Sequence, residues 1–169
     1  MLVIRATRKL LNRLGQPVTE PPASTTVLGD WYAKPFGVDK KRFILLISEK
    51  SRLAVLMPRR DVAHFPQRLP ETLERQLTRL GVPPKAVARE IKECGDVVLA
   101  ATASKSLLGT LNDYAAMAKQ RFTGQVEVDL DDEAFWLSHT PLSPLNYRFA
   151  ADEAFRLFGI ESRRIRPPF

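Results

Sequence analysis

The hydrophobic period of this chain switches from mainly strand-like to mainly helical near residue 60, and that change restricts the fold more than any other feature. Before it, apolar residues come in short β-like runs; after it, they recur every three or four positions. Arg42 to Ser48 and Arg52 to Met57 read as a hairpin joined by Glu49-Lys50-Ser51. Pro58 closes its second strand, since proline has no N–H to give to a ladder. Leu2 to Ala6 is a further short strand, and Thr25 to Phe36 another, broken by a bulge or turn at Gly29-Asp30. Between them, Thr7 is placed to cap a short helix with Leu10, Leu11 and Leu14 on one side and Gly15 as its stop.

Beyond residue 60 the pattern is helical. Pro70 is read as a first helical residue, with Leu73, Leu77 and Leu80 as the stripe and Gly81 as the end. Pro84 opens a second helix through Val87 and Ile91 to Gly95, and the two helices are expected to cover one face of the sheet. Asp96 to Ala101 is extended. Ser104 then caps the strongest helix, residues 105–122, whose Leu108, Leu111, Ala115, Ala118 and Phe122 share one face. Eighteen residues rise about 27 Å, close to the width of such a domain. Val126 to Leu130 alternates as a strand would, and short helices follow around Phe135–Leu137 and Ala150–Phe158. The expectation is an α+β fold: a small, mainly antiparallel sheet partly covered by four or more helices.

A length of 169 residues predicts one domain, drawn over 1–160, with 161–169 as a basic C-terminal tail. One cysteine, Cys94, excludes an internal disulfide, and with only His64 and His139 beside it no zinc cluster can be assembled. No metal and no cofactor are expected. The longest apolar runs, Phe43–Ile47 and Val97–Ala101, are too short to cross a bilayer, and the N-terminus lacks the pattern of a secretory signal. The expected place is the cytoplasm, with no membrane partner. The pattern sets no oligomeric state.

The net charge of +7 is unevenly spread. Residues 1–60 hold 12 Lys/Arg against 4 Asp/Glu, whereas 126–169 hold 5 against 8. Arg5, Arg8 and Lys9 form one basic cluster and Lys40, Lys41 and Arg42 another, with Trp31 and Tyr32 between them in sequence. Such groups can hold phosphates and stack bases, though they also serve as a solvated face around a half-buried Trp31. No RNA-recognition signature accompanies them.

A second constellation is polar. Ser104-Lys105-Ser106 at a helix start, with Gly109 following, can cradle an anion, yet the glycine-rich approach of a P-loop is missing. Capping by Ser104 and close packing at Gly109 explain the same residues. Asn112 and Asp113 lie farther along that helix; with Asp30 and Glu49 they would line a polar pocket if the chain brings them together, or form a buried tether if it does not. Catalytic signals are weaker still. Cys94 falls near a helix carboxyl end, which does not activate a thiol, and Glu90 and Glu93 read as a salt-bridged solvent face with Arg89 and Lys92.

Four separated strings, IRATRKLLNRLG, STTVLGDWYA, FILLISEKSRLAVLMP and SKSLLGTLNDY, resemble an uncharacterised bacterial domain family of unknown function. The resemblance covers most of residues 2–158 with order and spacing intact. It differs at Ala6, where the family pattern carries a cysteine, so any chemistry of that thiol would be missing here. It implies a compact intracellular bacterial domain, at times joined to small domains of mobile or plasmid-associated genes, and supplies no catalytic residues. With it, the expectation is a cytoplasmic binding or regulatory protein acting through a protein partner, in a toxin–antitoxin or mobile-element context. Phe135, Trp136, Phe155 and Phe158 would be the interface anchors. The alternatives are a nucleic-acid or phosphate-binding protein using Arg5, Arg8, Lys9, Lys40, Lys41 and Arg42, and a small-molecule enzyme at the polar pocket.

Overall fold

The computed structural model describes residues 1–60 and 62–161. The expected basic segment 161–169 therefore lies, beyond Glu161, outside the described residues. A five-stranded mixed sheet runs in the order β4-β3-β2-β1-β5. Its strands are β1 (Leu2–Ala6), β2 (Trp31–Val38), β3 (Lys41–Ser48), β4 (Ala54–Pro58) and β5 (Val97–Ala101). The β2-β3-β4 half is antiparallel, while β1 pairs in parallel with β2 on one side and β5 on the other. The α+β class holds, and the hairpin falls where its two β-like runs place it.

Among the described residues, six helices cover both faces: α1 (Arg8–Leu14), α2 (Phe65–Leu80), α3 (Pro84–Glu93), α4 (Lys105–Phe122), α5 (Leu130–Leu137) and α6 (Ala150–Leu157). A two-stranded ribbon of β6 (Pro141–Leu142) and β7 (Arg148–Phe149) lies between α5 and α6. Strand alternation sorts the core into two clusters. On one face Ile4, Trp31, Ile44 and Val55 meet Leu10 of α1 and Leu69, Leu73 and Leu77 of α2. On the other, Tyr32, Phe36, Phe43 and Leu45 meet Leu107, Leu111, Ala115 and Phe122 of α4. So α2 and α3 share one face, as their stripes predict, and α4 takes the other.

Helix α4 spans the predicted residues, and the Ser104 side chain accepts from the Leu107 N–H at 3.2 Å. Three local expectations need correction. Helix α2 starts at Phe65 rather than at Pro70, because Pro66 already occupies its first turn; Pro70 then sits inside the helix and withholds one N–H from its ladder. Val126 to Leu130 is no strand: Val126 is 88% exposed in a loop, with no neighbouring strand to pair its backbone. Glu90 belongs to no solvent face. It is 1% exposed, and its carboxylate accepts from Val27 N–H at 2.7 Å and Leu28 N–H at 3.1 Å.

Helix α1 begins where β1 ends, packing along the part of β2 that β1 does not reach. The far ends of β2, β3 and β4 thus face α1 across a gap, and this arrangement positions the basic residues of the N-terminal third.

Candidate functional site

Most polar residues of the expected pocket are bonded to other parts of the fold. Asp30, 6% exposed, accepts from Arg5 Nε at 2.6 Å through one oxygen and from Ser24 Oγ at 2.6 Å through the other. Its backbone N–H donates to Glu49 Oε2 at 3.1 Å, and the Glu49 N–H returns a bond to the Asp30 carbonyl at 2.7 Å. Gly29 makes this possible: its φ is +76° and a Cβ there would stand 2.9 Å from Glu49 Oε2. So Asp30 and Glu49 do come together, but around a turn they hold closed. Burial raises the Tyr32 hydroxyl pKa, opposed by Arg5 and by the Ala103 and Ser104 N–H groups aimed at it.

The remaining members lie elsewhere along α4. Ser106 receives Arg52 Nη2 on its hydroxyl at 2.9 Å and Nη1 on its carbonyl at 3.1 Å, pinning the β3–β4 turn to the helix. Arg52 also donates to Thr110, and desolvation lowers its pKa. Asn112 accepts from Lys34 Nζ at 2.6 Å. Lys105 and Asp113 are exposed. The network is a set of tethers between sheet and helix, with its acceptors already occupied.

Nor do the late aromatics make an exposed patch. Phe135 and Phe155 are each 7% exposed within the core, Phe158 packs on the same cluster, and Trp136 lies under the Arg121 guanidinium at 3.9 Å. Burial pushes the Cys94 thiol up to about 12, far from a reactive thiolate. His139 rests on Phe135, with Nδ1 2.7 Å from the Phe135 carbonyl oxygen. Among the described residues no group of three His, Cys, Asp or Glu could hold a metal ion. No helix among them is long and apolar enough to cross a membrane.

The basic residues converge more tightly than their sequence positions suggest. Arg42 lies opposite Gly37 on β2 and beside Arg59, whose N–H donates to the Arg42 carbonyl at 3.0 Å. Alternation along β3 sends Arg42 to the α1 face and Lys41 to the α4 face, where Lys41 Nζ donates to the Gln125 carbonyl at 2.7 Å and to that of Val126. A recess of about 550 Å³ opens between Arg13 of α1, Arg42 and Arg59 of the strand ends, and Arg60, Val62 and Ala63. A second, of about 350 Å³, shares Arg42 and Arg59 and adds Lys9, Gly37 and Asp39. The two recesses thus meet at Arg42 and Arg59, and are called the groove below.

Among the described residues, none of Lys9, Arg13, Arg42, Arg59 and Arg60 is in an ion pair. The Arg42 guanidinium is held instead by the carbonyls of Asp39 (3.2 Å) and Lys41 (3.1 Å). Among the described residues, Asp39 is the acid at the rim, in a left-handed turn (φ 53°) with its carboxylate accepting the Gly124 N–H at 3.2 Å. Of the predicted contacts, Lys9 and Arg42 line the groove, and Arg8 lines a separate recess with Asn12 and Gln16. Lys40 is exposed in the β2–β3 turn, while Arg5 is held by Asp30. Arg13, Arg59 and Arg60 were not foreseen. Arg59-Arg60 directly after Pro58 was the available signal, since a pair of arginines at a strand end has nowhere to go but the sheet's rim.

A family model described as a domain of unknown function, DUF6933, matches residues 3–153. The chain belongs to this family. That confirms the resemblance carried by the four strings. The DUF6933 match takes in every strand of the main sheet, α1 to α5 and every residue of the cationic groove. No curated protein and no solved structure matches the chain.

Proposed function

We propose that this protein binds nucleic acid through its phosphates, in the cytoplasm, using the groove between α1 and the ends of β2, β3 and β4. One observation carries the reading: five cations, Lys9, Arg13, Arg42, Arg59 and Arg60, line two recesses that share Arg42 and Arg59, and none of the five is ion-paired to a carboxylate among the described residues. Like charges held close repel one another, and on a solvated surface they are normally interspersed with acids. A concave cationic surface left unpaired is suited to polyanions, which gain affinity by releasing counterions. Of the expected protein-interface anchors, Phe135 and Phe155 are buried while Trp136 and Phe158 are partly buried; an acidic protein segment is the form of protein partner that this groove would suit.

The test is a fluorescence-anisotropy titration of a labelled oligonucleotide at several salt concentrations, competed by poly-glutamate of matched charge. Binding that weakens steeply with salt and resists poly-glutamate supports the reading. Equal competition by poly-glutamate transfers the groove to an acidic protein, and no binding at low salt overturns the proposal.

A further inference from the structure

We draw no further inference here: the strongest candidate, the cluster of Arg5, Arg52 and the Tyr32 hydroxyl around the amino end of α4, rests on a helix N-terminus without a second observation that points to a ligand, since Arg5 is held by Asp30, Arg52 by Ser106 and Thr110, and the Tyr32 hydroxyl faces the Ala103 and Ser104 N–H groups.

Discussion

The guanidinium of Arg42 lies against the backbone of Gly37 on the neighbouring strand, so closely that a Cβ at position 37 would stand 2.7 Å from Nη1. Glycine at this point is what lets a long cation lie flat on the floor of the groove. Gly37→Ala should leave net charge untouched and push the guanidinium away. Because the clash falls on the flexible end of a side chain, the stability cost should stay below about 1 kcal/mol. Oligonucleotide affinity should fall severalfold. Anisotropy titration alongside a urea melt separates the two effects; unchanged affinity would remove Arg42 from the contact.

Asp39 supplies the opposite lever. Its carboxylate lines the groove, and asparagine tolerates the same left-handed backbone while keeping an oxygen for the Gly124 N–H. Asp39→Asn should tighten oligonucleotide binding by roughly 2–5-fold at low salt, the effect of one partly screened charge. The gain should vanish as salt rises. A loss of affinity instead would mean that the turn, rather than the charge, matters.

Glu90 stabilises the turn that leads into β2. Its two oxygens satisfy the Val27 and Leu28 N–H groups, so Glu90→Ala strands two donors away from water. The expected loss is roughly 2–4 kcal/mol, from about 1–3 per unsatisfied buried group with partial relaxation. Glu90→Gln keeps one acceptor and should cost less. Urea denaturation with an unchanged m-value would report this as a shift of midpoint alone.

Acid titration should separate two carboxylates of opposite sign. The Arg156 hydrogen bond to Glu153 holds its pKa below the ordinary value, so Glu153 contributes stability above the unfolded pKa of about 4.3 that is lost as pH falls through the folded value. Burial raises the Glu90 pKa despite its two backbone donors. There the folded state binds the proton more tightly, so stability declines as pH rises from about 4.3 toward that raised value. Thermal melts across pH 3–7 should show Glu153→Gln flattening the acid-side loss and Glu90→Gln removing the component of opposite slope.

Arg5 is a structural partner rather than a ligand contact. Arg5→Ala leaves the Asp30 carboxylate, 6% exposed, with Ser24 as its remaining side-chain donor. A loss of roughly 2–3 kcal/mol is expected, less than for a fully buried pair because Arg5 is partly solvated. At a temperature where the variant remains folded, its oligonucleotide affinity should change less than twofold. A tenfold loss there would extend the groove to this cluster.

The sequence by itself determined the features that depend on near neighbours. The period change separates the β2-β3-β4 half from the helices, Ser104 caps the Leu107 amide three residues on, and the Leu73, Leu77 and Leu80 stripe faces the core as drawn. The tertiary structure decided what depends on distant residues. Glu90 looks like any surface acid until the Val27–Leu28 turn, more than sixty residues earlier in the chain, folds onto it. Asp30, Ser106 and Asn112 of the expected pocket find partners on other elements, as Asn112 does in Lys34, a pairing that local spacing does not record. Arg13 and Arg59 are 46 positions apart and share a recess because α1 and β4 bury their apolar sides against one sheet face. Local periodicity records which side of an element is apolar. The free energy of burying all those sides together selects which surfaces meet, and so which charges are left facing one another.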